Sequence, residues 1–146
     1  MPALDTNVLV RLIVRDDPAQ TEAARRFIAG CLDEGVTPFV PVTVMLELEW
    51  VLRSRYGFGK DDVLTTLAAL LSAADLAFES ERSLEVALQL HRGASDPQPD
   101  EAQSAPRADF ADCLHIALAA QAGESPLRTF DRRAARLPGA RLIGAT

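Results

Sequence analysis

Two rhythms of apolar residues alternate along the chain. Short apolar runs bounded by prolines or polar residues predict strands, and longer stretches with apolar positions every three or four residues predict amphipathic helices. Ala3-Leu4-Asp5 reads as the end of a short buried strand, and Val8 to Val14 continues apolar into a helix. Asp17-Pro18-Ala19-Gln20 marks a helix start, with Asp as cap, Pro at the first helical position and Gln three residues beyond the cap. That helix runs to about Leu32 and ends near Gly35. Pro38 to Val42 predicts a second strand, and Thr43 is expected to cap a helix that carries Leu46, Glu47, Trp50 and Val51 and ends by Gly57. A further helix opens at Lys60 or Asp61 and runs to about Ala74, with Val63, Leu67, Leu70 and Leu71 at helical spacing.

Leu76-Ala77-Phe78 predicts a third strand, and Ser80 is expected to cap a helix that continues through Leu84, Ala87 and Leu88 to His91. Residues 93–107 contain three prolines and almost no apolar bulk, and read as one long mobile loop. A helix from about Ala108 to Gln121, a fourth strand at Leu127 to Phe130, a short helix from Asp131 to Leu137 and an edge strand at Arg141 to Ile143 complete the pattern. Strands alternating with helices require parallel pairing through right-handed crossovers. The expected class is α/β: a three-layer α/β/α sandwich with a central, mostly parallel sheet of four to five strands, in a single domain spanning residues 1–146. Such sheets place their chemistry at the carboxyl ends of the strands.

Composition narrows the function. The 146 residues are 48% hydrophobic and 25% charged, the balance of a folded globular chain. No segment approaches the roughly 18 uninterrupted apolar residues of a membrane span, and Asp5 interrupts the start where a signal peptide would be apolar. Cys31 and Cys113 lie far apart in no ligand-like spacing. A reduced, cytoplasmic setting is therefore expected. The net charge is −6, but residues 61–112 hold 11 acidic and 3 basic groups, whereas residues 113–146 hold 2 acidic and 5 basic. An acidic chain argues against simple nucleic-acid binding, unless its carboxylates gather around cations that reverse the local field.

The strand-end rule singles out Asp5 and Asp131, each beside small polar groups: Thr6 and Asn7 in one case, Thr129 in the other. A lone Asp after a strand is more often a helix cap than a ligand, so other acids must converge for the chemical reading to hold. Asp109 and Asp112, three residues apart, project from one face of a helix. Asp109 lies in the first turn, where it also relieves the exposed N–H groups; Asp112 sits among Ala111, Cys113, Leu114 and Ile116, where a surface role fits less well. Glu47 lies among Val44, Met45, Leu46, Leu48 and Trp50 and is expected to face inward. Glu49, about 200° round the helix and four residues before Arg53, reads as a solvent-side ion-pair partner. Four gathered carboxylates repel one another strongly unless a proton or a cation relieves them. Oxygen donors without His or Cys select Mg²⁺ or Mn²⁺ over zinc, and such a site suits hydrolysis of a phosphodiester.

Four blocks, Leu4-Asp5-Thr6-Asn7-Val8-Leu9, Leu46-Glu47-Leu48-Glu49-Trp50-Val51-Leu52-Arg53, Ala108-Asp109-Phe110-Ala111-Asp112 and Thr129-Phe130-Asp131, resemble in order and spacing the signature of PIN-domain ribonucleases, closest to the VapC toxins of toxin–antitoxin pairs. The resemblance spans residues 4 to 131. It implies a Mg²⁺-dependent endoribonuclease (Mn²⁺ substituting) that cleaves single-stranded or loop RNA such as tRNA or rRNA, forms homodimers and is blocked by a small VapB-like antitoxin. By position, Asp5, Glu47 and Asp112 match the metal-binding acids and Asp131 the more variable fourth, while Asp109 matches an acid that binds metal directly or through water. Thr6, Asn7 and Thr129 match supporting positions. The 93–107 segment departs from the family's short turn before the third block.

Other readings fare less well. A haloacid-dehalogenase-type phosphatase needs a second Asp where this chain has Asn7, and a receiver domain needs a late Lys where Lys60 is the only lysine. His91 and His115 have no convincing Ser or Cys partner, and Cys113 reads as core. The rival from another class is a catalytically silent PIN-like module that binds RNA or protein. Arg128, Arg132 and Arg133 flank Asp131, and Arg11 and Arg15 are expected on the first helix near the same edge; phosphate binding and ordinary ion pairing explain them equally well. The apolar residues around Trp50–Tyr56 and Val63–Leu71 exceed what a small sheet needs and suggest a groove for an amphipathic antitoxin segment.

Overall fold

A computed structural model describes residues 1–94 and 109–144, so the predicted 93–107 loop lies, from residue 95 onward, outside the described residues. The chain divides into two compact units, Met1–Glu81 and Arg82–Thr146.

In the first unit, Ala3 makes a parallel bridge to Phe39, and the chain then turns directly into helix α1, Thr6–Val14. Asp5 has extended backbone and caps it, its Oδ1 accepting from the Asn7 amide at 2.7 Å. Helix α2, Pro18–Asp33, starts as predicted, with Asp17 accepting from the Gln20 amide at 3.1 Å and Pro in the first turn. The α1–α2 corner is tied by Arg11, whose guanidinium meets Gln20 Oε1 and, at 2.8 Å, Asp16 Oδ1. Tyr56 donates to the other oxygen of Asp16. Strand β1 is Phe39–Val40, followed by α3, Val42–Ser54, and α4, Lys60–Leu71. Strand β2, Ala77–Phe78, pairs in parallel with β1. Leu9, Val40, Met45, Leu48, Leu52 and Leu67 are fully enclosed in this unit, each contributing roughly 2 kcal/mol of apolar burial.

Helix α3 is not capped by Thr43. Its cap residue is Pro41, which makes no side-chain cap bond, and the first amide, Val42 N–H, donates instead to Glu79 Oε2 at 3.1 Å. Glu79 follows β2 and pairs with the end of β1 through Glu79 N–H to Val40 O. An acid 37 residues away in sequence therefore satisfies the positive end of α3.

Helix α5, Glu81–Gly93, opens on the last residue of the first unit, runs through the start of the second and takes in Gly93, which the sequence had assigned to the loop. Ser80, with φ 53, lies in the left-handed region rather than the extended conformation of a usual cap. Helix α6 is Phe110–Gln121, β3 is Leu127–Thr129, a single 3₁₀ turn covers Ala134–Arg136 and β4 is Ala140–Leu142. Strands β3 and β4 pair in parallel, with Arg128 opposite Arg141. Phe110, Cys113 and Leu114 are buried, as are Leu84, Ala87 and Leu137. Ser83 donates to Gln121 Oε1 at 2.6 Å, joining α5 to α6, and His91 meets Phe110 edge to face.

The parallel sense of every described pairing agrees with the sequence pattern; the sheet does not. Among the described residues there are two two-stranded ladders, one in each unit, and not a continuous sheet of four or five strands. The strands are two or three residues long, because the apolar runs that predicted longer ones surrender their ends to helix caps and turns: Pro41 to α3, and Phe130 to the bend before Asp131. No helix among the described residues is long and apolar enough to cross a membrane.

Candidate metal centre

Each candidate acid is held at the end of a short strand or in the first turns of a helix. Asp5 is exposed, two residues past the Ala3 bridge, with Oδ1 committed to Asn7 N–H. Thr6 beside it is buried and Asn7 exposed. Ala3 and Phe39 run in the same direction, so Asp5 and the start of α3 leave from the same carboxyl edge of that ladder. Glu47 lies on the second turn of α3, and α3 packs against α1.

The two glutamates of α3 are exchanged relative to expectation. Glu47 is exposed, while Glu49 is 4% exposed and paired with Arg53, Nε to Oε1 at 3.0 Å. Their opposite orientation and the Glu49–Arg53 pair follow from helical spacing. Which side faces the interior depends on packing: Met45, Leu48 and Leu52 define the buried stripe, and Glu49 flanks Leu48 and Leu52 within it.

In the second unit, Asp109 is the N-cap of α6 rather than a first-turn residue. Asp109 Oδ1 accepts from Asp112 N–H at 3.0 Å, and Asp112 Oδ2 accepts from Asp109 N–H at 3.1 Å, a reciprocal capping box. Asp131, just past β3, accepts from the amides of Arg133, at 2.8 Å, and Ala134 through one oxygen, Oδ1, while its own N–H donates to Thr129 Oγ1. Thr129 thus bonds to the backbone of Asp131 and not to its carboxylate. Burial raises the Asp112 carboxyl above its usual range; the negative charges of Asp109 and Asp131 add to this, while the bond from the Asp109 amide and the charge of His115 act against it. Asp109, Asp112 and Asp131 therefore share one electrostatic neighbourhood.

The arginines are less uniform than the sequence suggested. Arg11 is engaged at the α1–α2 corner, where hydrogen bonding with Tyr56 and the charge of Asp16 outweigh burial and raise its pKa. Arg15 is the left-handed C-cap of α1, about 14 Å along the axis from the Asp5 end; it does not lie near that edge. Arg128 and Arg132 are exposed, and Arg133 is half-buried with its Nε 3.7 Å from Asp131. The apolar residues of α3 and α4 face each other: Val51, Leu52, Val63, Leu64, Leu67 and Leu71 are buried, and Trp50, 50% exposed, is the large apolar side chain that remains outside. Sequence reasoning missed the helix-capping role of Glu79 and the exposure of Phe130, which is 79% accessible.

Among the described residues, no three His, Cys, Asp or Glu side chains are gathered closely enough to hold a metal ion by themselves. The donors are nevertheless the right kind for a hard cation: all are carboxylate oxygens, and Asp112 carries a charge that its burial and two neighbours oppose. In each unit, acids stand just past the carboxyl end of a short parallel strand, where open α/β sheets place their ligands. The family model of the PIN domain matches residues 3–140, and the chain belongs to that family. PIN domains are typically nucleases and generally use divalent metal ions. No curated protein matches the chain.

Proposed function

We propose that the protein is a Mg²⁺-dependent endoribonuclease, with Mn²⁺ able to substitute, and the toxin of a toxin–antitoxin pair that cleaves tRNA or rRNA and so inhibits translation. The observation that carries the reading is the Asp109–Asp112–Asp131 neighbourhood in a PIN-domain chain, where burial and like charge oppose the ionised form of Asp112. The proposed ligands are Asp5, Glu47, Asp112 and Asp131, with Asp109 as a further ligand, direct or through water. A bound Mg²⁺ supplies an activated water and neutralises charge on the phosphoryl group. The chain's own part is positioning. The amides of Asn7, Arg133 and Ala134 and the reciprocal Asp109–Asp112 bonds fix the carboxylates, and Thr129 orients the backbone at Asp131. Arg128, Arg132 and Arg133 are the proposed phosphate contacts. A homodimer and a VapB-like antitoxin, contacting Trp50 on α3, belong to the same reading.

Brief induction followed by mapping of new RNA ends on total cellular RNA, with Asp5→Asn as control, tests it. Asn retains the acceptor for the Asn7 amide, so the fold persists while metal-dependent cleavage is lost. The second reading, a silent binding module, prevails if purified protein with Mg²⁺ or Mn²⁺ leaves candidate RNAs intact.

A further inference from the structure

The outer face of the β3–β4 ladder carries an unusual set of side chains. Arg128 on β3 and Arg141 on β4 are Cα partners in a parallel register, and both are exposed. Paired residues of adjacent strands project to the same side, so two guanidiniums stand next to each other, an arrangement that is destabilising without a counter-charge. Among the described residues, no ion pair or side-chain hydrogen bond engages Arg128, Arg132 or Arg141. Two residues beyond Arg128, at the bend where β3 ends, stands Phe130, the most exposed aromatic ring described, at 79%. Ile143, whose amide bonds to Thr129 O, adds a half-exposed apolar side chain beyond β4. Thr129, the alternate position of β3, and Asp131, just past the bend, are only partly accessible. The ladder and the bend that ends it therefore bring adjacent cations and a bare aromatic ring within two residues of each other in the chain, and Phe130 adjoins Asp131.

Phosphates spaced along a backbone satisfy paired guanidiniums, and an exposed ring offers a surface on which an unpaired base stacks whatever its identity. A duplex offers the phosphates but hides its base faces. We infer that the β3–β4 face is a docking platform for single-stranded RNA, in which Arg128 and Arg141 hold consecutive phosphates and Phe130 stacks the base next to the phosphate that reaches Asp131. The inference rests on the nuclease reading above and adds the surface that holds the strand and the groups on it, Arg141 and Phe130 beside Arg128. Phe130 is a positioning and selectivity residue: it touches the base but not the reacting bond.

The test is binding of a fluorescent single-stranded RNA of roughly 12 nucleotides to the whole protein in EDTA, where no cleavage occurs, beside a duplex of the same length. Phe130→Ala weakens single-strand binding about ten-fold and leaves duplex binding as it was; Phe130→Trp restores it. The Arg128→Gln/Arg141→Gln pair lowers the slope of log affinity against log salt by about 1.4, the value for two single-strand phosphate contacts. Thermal melts confirm that the variants fold. Wild-type affinity and salt slope in both variants overturn the platform, as does equal loss of duplex and single-strand binding in Phe130→Ala. Absence of single-strand binding by wild type overturns it as well, as does a change in oligomeric mass without a change in RNA affinity, which would assign the face to a second copy. Failure of metal-dependent cleavage with these binding effects intact would reject the nuclease reading alone.

Discussion

Replacing Asp112 by Asn is expected to stabilise the metal-free protein even as it removes a proposed ligand. The carboxylate has two opposed effects on folding. Its Oδ2 accepts the Asp109 amide at 3.1 Å, closing the capping box of α6, and loss of such a cap costs about 1 kcal/mol, or about 3 °C in melting temperature for a chain of this length. Its negative charge is opposed by burial and by Asp109 and Asp131. Asn keeps the carbonyl acceptor and discards the charge; Ala discards both. The sign with pH follows from the raised folded-state pKa. Above the ordinary value of 3.8, and up to the raised one, the folded state holds a proton that the unfolded state has released, so wild-type stability falls as pH rises through that window. Below it both states are protonated and the charge effect vanishes. Melts in EDTA should therefore place Asp112→Asn at or above wild type at neutral pH, with the advantage gone in acid, and Asp112→Ala about 3 °C below Asn. Added Mg²⁺ should raise wild type more than Asp112→Asn. The reasoning fails if Asn melts as low as Ala at neutral pH.

Three further outcomes follow from the packing. Gly139 and Gly123 share φ values of +87° and +79°, but only at Gly139 does an added Cβ meet a side chain, 2.8 Å from Ile116 Cγ2; urea unfolding should show Gly123→Ala costing about 1–2 kcal/mol and Gly139→Ala roughly 1–3 kcal/mol more, with a matched loss at both sites contradicting the clash. Arg53→Ala leaves the buried Glu49 carboxylate without its i+4 partner and should cost about 2 kcal/mol in the same assay, below the full buried-pair range because Arg53 is 45% exposed; an unchanged midpoint would show the pair to be idle. Arg11→Ala should lower the melting temperature by loosening the Asp16 and Gln20 ties while leaving the salt dependence of RNA binding unchanged, and a shallower slope would restore Arg11 as a phosphate contact.

What the sequence revealed and what it concealed divide by the range of the interaction. The α2 start was legible because Asp17, Pro18 and Gln20 act within one turn. The bond between Thr129 and the Asp131 amide is local in the same sense. The Asp109–Asp112 box was available in the same way, since an acid three residues after an Asp cap is a recognised start signal, but treating both residues as ligands obscured it. The cap of α3 could not be found locally, because Glu79 reaches Val42 from another strand. Glu47 and Glu49 were correctly assigned to opposite faces, yet apolar residues on both sides of α3, Leu46 and Trp50 as well as Leu48 and Leu52, left the buried side undetermined. Strand lengths were overestimated because residues such as Pro41 and Phe130 look like strand members and serve as helix and turn boundaries.

The amide clasps on the acids bear on which cation the proposed ligands prefer. Asp5, Asp109, Asp112 and Asp131 each have one oxygen tied to a main-chain N–H. Each is thereby left one oxygen without a main-chain bond, and symmetric chelation by both atoms of one carboxylate competes with the amide. Calcium commonly exploits such two-atom chelation within a large, irregular shell, whereas magnesium and manganese accept an octahedron of single donors completed by water. Ion discrimination would then be written into hydrogen bonds of the backbone, and calcium should shift the melt far less than magnesium at equal concentration; equal shifts would show that the clasps open.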